Sequence, residues 1–233
     1  MAGALKRADP DNAEDMILIR AMRDSNIPKF LRDDTTLFIS LIGDLFPAVD
    51  IKEVVNERLR TEISTTLVST GGQPVPGYMG KVMQLYETMI VRHGVMLVGQ
   101  TMTGKTRAAD TLATSLGSMH AAEVIHEAHQ RFLQPVTQHV LNPKSISMGE
   151  MYGDINRITR EWQDGVLSNV IRDLVRRTTP DRHWILFDGP VDAIWIENMN
   201  TVLDDNKKLC LVSGEMLYMS PYMNMLFETL NLD

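Results

Sequence analysis

Gly99-Gln100-Thr101-Met102-Thr103-Gly104-Lys105-Thr106 places two glycines, a lysine and a threonine at the spacing G-x-x-x-x-G-K-[ST]. Those residue types in that order suit phosphate chemistry. A glycine-rich turn aims successive backbone N–H groups at one point, and a helix starting there adds partial positive charge. A nucleotide's phosphates bind at such a point. Lys105 would reach the β- and γ-phosphates, and the Thr106 hydroxyl would bind Mg²⁺. The flanks agree. Val95 to Val98 is an apolar run that reads as a strand, and Arg107 to Leu116 reads as a helix.

A second stretch supports the first. His183-Trp184-Ile185-Leu186-Phe187-Asp188 reads as a buried strand ending in an acid. In phosphate-loop NTPases, an acid so placed holds Mg²⁺ together with the loop hydroxyl. The next position usually carries a glutamate that polarises the attacking water. Here it is Gly189, followed by Pro190. The pair therefore predicts a chain that holds ATP–Mg²⁺ and is poorly equipped to hydrolyse it, with no catalytic residue assigned. Asp192, one helical turn further on, is expected to face away from the γ-phosphate.

The elements that must position these residues can be read along the chain. Helices are expected over Ala13 to Arg23, Thr36 to Leu45, Ile51 to Ser64 and Tyr78 to Arg92. Gly71-Gly72-Gln73-Pro74-Val75-Pro76-Gly77 is a breaker-rich loop between the third and fourth of them. Beyond the phosphate loop, Val136 to Leu141 reads as a strand. Met148 to Tyr152 and Thr159 to Trp162 read as short helical pieces, and Asp164 to Arg177 and Asp192 to Leu203 as longer helices. Lys208 to Val212 and Met216 to Met219 form a hairpin around Ser213-Gly214, and Met225 to Leu230 is a last strand. Strands alternating with helices imply an α/β fold, a parallel sheet with helices on both faces. Four core strands are legible, one fewer than a complete fold of this type, so a C-terminally truncated sheet is expected.

Composition bounds the function. The 233 residues carry a net charge of −7, which argues against nonspecific nucleic-acid binding. No apolar run approaches the roughly 18 residues of a membrane span, and the N-terminus lacks a signal peptide's apolar core. The single cysteine, Cys210, cannot pair internally, and its neighbours Leu209 and Leu211 suggest a buried strand residue. This fits a cytosolic or cytoskeletal compartment. The 16 methionines read as core filler. His126 and His129 stand three apart, not at the four-residue spacing of a helical zinc pair. Asp204-Asp205 reads as a helix end rather than a second metal site, and Trp162, Trp184 and Trp195 as packing residues. Arg176-Arg177 reads as basic charge suiting a helix C-terminus.

Longer motifs add a resemblance. Asp44-Leu45-Phe46-Pro47, Gln84-Leu85-Tyr86-Glu87-Thr88-Met89, Leu141-Asn142-Pro143-Lys144, Phe187-Asp188-Gly189-Pro190-Val191-Asp192-Ala193 and Trp195 to Lys207 are similar to the second AAA+ module of dynein heavy chains, closer to the axonemal branch. The resemblance spans nearly the whole chain. It implies a P-loop AAA+ large subdomain within a ring of six modules, in a microtubule minus-end-directed motor. It implies that residues 1–30 end the preceding module's small helical subdomain, that 31–77 form a helical linker and the module's N-terminal part, and that 78–233 form the nucleotide-binding core. Gly99, Gly104, Lys105 and Thr106 match the family's phosphate loop, and Asp188 its Mg²⁺-holding acid. Asn231 matches the polar sensor position after the fourth strand. Phe46 to Val49 matches a segment approaching the adenine. The implied partners are neighbouring AAA+ modules, the mechanical linker, intermediate and light chains, and microtubules indirectly, in a cytoplasmic, ciliary or flagellar setting. The inserts at Ser147 to Trp162 and Leu209 to Met219 match segments that meet the linker. Two departures stand out. Gln100 replaces a proline, and Met102 replaces a glycine and would crowd the phosphates if its backbone took a positive φ. Two other readings stay open: an active P-loop ATPase or small kinase, and a scaffold fragment with a degenerate pocket.

Overall fold

Two strands, β5 (Arg182–Asp188) and β8 (Met223–Thr229), are buried almost without interruption. Burial on both faces is the mark of interior strands in a parallel sheet. They lie side by side, flanked by β1 (Gly94–Val98) and β2 (Val136–Leu141), in the order β1-β8-β5-β2. Every pairing is parallel. The computed structural model describes residues 13–27, 30–47, 57–122, 133–203 and 207–231. Parts of the expected third helix and Phe46 to Val49, the His126–His129 pair and Asp204-Asp205 lie outside the described residues.

Alternation along β5 sends successive side chains to opposite faces, so each face builds its own core. Trp184 and Leu186, with Leu226 of β8, pack against α3 (Glu57–Ser69), α4 (Pro76–Val91) and α5 (Lys105–Ala121). Ile185 and Phe187, with Met225 and Phe227, pack on the other side. There they meet α6 (Met148–Tyr152), α7 (Val166–Arg176), and the short helices α8 (Ala193–Glu197) and α9 (Asn200–Leu203). Phe187 and Phe227 stack at 4.9 Å, and Trp195 lies over both. Helices α1 (Glu14–Asn26) and α2 (Arg32–Leu45) precede this α/β unit.

Three local expectations change. Thr159 to Trp162 is not helical: β3 (Gly153–Ile155) and β4 (Trp162–Asp164) form an antiparallel hairpin. The Asn156 side chain accepts from the backbone N–H of Ile158 and Thr159, an Asx-type turn that competes with helix. The helix over Asp192 to Leu203 breaks in two, with Met199 and Val202 donating to carbonyls only three residues back. Cys210 does sit on a strand, β6 (Lys208–Cys210), paired with β7 (Met216–Tyr218). It is exposed, because strand alternation turns Leu209 and Leu211 inward and Cys210 outward.

Candidate nucleotide-binding site

The phosphate loop leaves β1 at the C-terminal edge of the sheet and enters α5. Gly99 donates its N–H to the Thr229 carbonyl, which ties the loop's start to β8. Thr103 closes the turn, donating from both its N–H and its hydroxyl to the Gln100 carbonyl. Gly104 then takes φ +87°, the left-handed region where a side chain is strained, and caps α5. A Cβ at Gly104 would lie 3.0 Å from the Tyr78 ring, whose hydroxyl donates to the Gly104 carbonyl. Tyr78 of α4 is therefore a wall of the loop that the motif alone did not reveal.

Met102 does adopt a positive φ, +67°. Its side chain is 98% exposed, so it points to solvent and does not crowd the loop's interior. The Lys105 Nζ donates to the carbonyls of Gly99 (2.7 Å) and Gln100 (3.0 Å). A cleft of roughly 780 Å³ runs from Gly99, Thr103, Gly104 and Lys105 along β1, walled by Tyr78, Leu85 and Thr88 of α4.

Asp188 ends β5 exposed, in register with Glu228 of β8. The Thr106 hydroxyl donates to Glu228 Oε2 at 2.6 Å. Sequence reasoning missed Glu228 altogether. It sits inside an apolar strand where a charge is unexpected, and that oddity was the available signal. Glu228 is 4% exposed, and its Oε1 has no hydrogen-bond partner among the described residues. Burial pushes its carboxyl up, the Thr106 hydrogen bond opposes this, and the Asp188 charge adds to the rise. Asn231, expected as the sensor, is exposed beyond the end of β8, its carbonyl accepting from the Thr229 hydroxyl. Two residues of this strand touch the loop instead: Thr229 through its carbonyl to Gly99, and Glu228, three positions before Asn231, through its side chain to Thr106.

The position after Asp188 is small, partly buried and bordered on one side. A Cβ on Gly189 would meet Asn142 Oδ1 and Pro143 Cδ, each at 3.3 Å. The Gly189 N–H also points along the sheet to the Glu228 carbonyl. A divalent cation fits this neighbourhood. Thr106, Asp188 and the orphaned oxygen of Glu228 are hard oxygen donors at one edge, of the kind that Mg²⁺ takes beside phosphate oxygens.

Sheet order, loop geometry and acid placement define a P-loop nucleotide-binding core of the AAA+ class. Residues 1–106 match the family model described as the hydrolytic ATP binding site of the dynein motor region. Over 232 residues, all of this chain, it is 50% identical to human dynein axonemal heavy chain 6. It is 47% identical to mouse dynein axonemal heavy chain 3 and 45% identical to human dynein axonemal heavy chain 1. Over its whole length the chain is thus similar to axonemal dynein heavy chains. It spans about 6% of the length of heavy chain 6. The family match ends at Thr106, so the word hydrolytic in its description stops short of Asp188 and Gly189.

Proposed function

We propose that this chain is the second AAA+ module of an axonemal dynein motor ring, and that it binds ATP–Mg²⁺ and holds it unhydrolysed as a clamp between modules. The observation that carries this reading is Gly189, placed where a catalytic glutamate would stand, with Asn142 and Pro143 at tight contact distance from any Cβ there. Binding is supported by Gly104 in its left-handed conformation and by Lys105 and Thr106 on the first turn of α5. Lys105 exchanges its loop carbonyls for β- and γ-phosphate oxygens. Asp188 and Thr106 hold the Mg²⁺, which offsets the phosphate charge. Met102 offers no support for a degenerate pocket, since its side chain leaves the loop. The neighbouring modules, the mechanical linker, intermediate and light chains, and indirectly the microtubule are the partners. The ciliary or flagellar axoneme is the location.

The test is nucleotide content and turnover on one sample. The chain is purified and denatured, released nucleotide is identified by chromatography, and added ATP is followed for phosphate release. Retained nucleotide without turnover is expected, with affinity lost in Lys105→Ala. Robust turnover at this site, in a ring whose first module is disabled, would refute the clamp.

A further inference from the structure

We propose that Glu228 is a carboxylate donor to the nucleotide's divalent cation, a second acid beside Asp188. The inference deepens the nucleotide–Mg²⁺ reading and rests on it. Three observations carry it. Glu228 and Asp188 are partners in register on adjacent parallel strands, so they reach the same edge of the sheet. Glu228 Oε2 already holds the Thr106 hydroxyl, the loop group that faces the cation. Glu228 Oε1 is buried without a partner among the described residues, although the whole residue is 96% enclosed by a relative exposure of 4%.

A residue that only pinned Thr106 would need one acceptor oxygen. A buried carboxylate oxygen left unpaired is costly, and apolar strands rarely keep one. A hard cation arriving with the phosphates supplies what Oε1 lacks. The contact with Thr106 also fixes the role. It puts Glu228 on the cation's side of the loop, so Glu228 does not replace the base missing at Gly189. Two carboxylates for one cation would tighten nucleotide retention and leave hydrolysis unassisted.

Mn²⁺ and ADP are the probes. Free Mn²⁺ is measured by electron paramagnetic resonance while the chain, saturated with ADP, is titrated. Glu228→Gln keeps the shape and the acceptor for Thr106, and is expected to weaken Mn²⁺ retention about tenfold, with ADP binding in EDTA unchanged. Asp188→Asn is expected to weaken it similarly. Wild-type retention in Glu228→Gln, with loss in Asp188→Asn, would overturn the proposal and leave the nucleotide–metal reading standing. Wild-type retention in both variants, or no ADP binding by the unaltered chain, would overturn the two together. A measurement on the unaltered chain avoids any folding defect of the variant. With ¹³C-carboxyl glutamate incorporated, Mn²⁺–ADP should show a ¹³C hyperfine coupling, and its absence would overturn the proposal.

Discussion

Single residues decide whether this loop can hold phosphate. Gly104 combines a left-handed backbone with the Tyr78 ring at contact distance from any Cβ. Gly104→Ala should therefore lower stability by about 1–2 kcal/mol, the cost of left-handed backbone for an L-residue, and nucleotide affinity should fall with it. Paired thermal melts and nucleotide titrations check this. Gly189 makes a sharper case. Restoring the usual glutamate, Gly189→Glu, should restore little turnover, because its stem would press on Asn142 Oδ1 and Pro143 Cδ, each 3.3 Å from the Cβ, and turn its carboxylate out of line. Phosphate release at or near the rate of an active AAA+ site would show that this crowding does not limit the position. Both glycines stand in the sequence. Only one, Gly104, was legible as a conformational requirement, because its motif fixes its backbone, whereas the walls around Gly189 come from a loop about 45 positions away in the chain.

At the scale of elements, the two hairpins show how irregular pieces are made rigid. Gly153 takes φ +107° with the Trp162 ring where a Cβ would project, and Gly165 has the Met151 backbone in that place. Gly153→Ala should destabilise by about 2 kcal/mol or more, combining left-handed strain and overpacking. Chemical denaturation followed by circular dichroism would measure it. Arg172 of α7 joins the β3–β4 hairpin to the β6–β7 turn, donating to Asp164 and to Glu215. Its guanidinium holds both carboxyls below the usual carboxylate range through those hydrogen bonds. The pairs are partly exposed, so Arg172→Ala should cost about 1 kcal/mol or less. The β3–β4 hairpin was not legible as strand, since a three-residue strand pair carries too short a pattern to outweigh helix-compatible residues. Its turn depends on the Asn156 side chain.

For the molecule as a whole, stability rests on one sheet with two faces. Phe227 is fully enclosed between Phe187 and Trp195, and Phe227→Ala should cost about 3–5 kcal/mol. The fold should also be sensitive to acid through a histidine pair. His139 and His183 lie on neighbouring strands with ring centroids 5.6 Å apart. Burial lowers both affinities for protons, and the Arg177 charge lowers them further. The unfolded chain binds those protons below the ordinary imidazole value of about 6.5, while the folded chain resists them. Stability is thus full above that value and is lost as pH falls from it toward the depressed folded values. Melting temperatures across that range would show the decline, and His183→Phe should flatten it; an unchanged slope would clear the pair of responsibility.

The sequence by itself determined the phosphate loop, the Asp188–Gly189 pair, the four core strands and the alternation of helix with strand. These are local matters: a turn fixed by glycine spacing, and strands fixed by continuous apolar runs. It also carried the resemblance to dynein heavy chains, because long ordered motifs survive as text. The strand order, with β8 inserted between β1 and β5, was decided only in three dimensions. That insertion sets Glu228 beside Thr106, 122 positions away in the chain, and β2 with its following loop closes over Gly189. A carboxylate in an apolar strand looks like an exception until folding brings a hydroxyl and an acid to it. Parallel sheets join distant segments through crossovers, so the partners of a strand-end residue are set by topology and not by its neighbours in sequence.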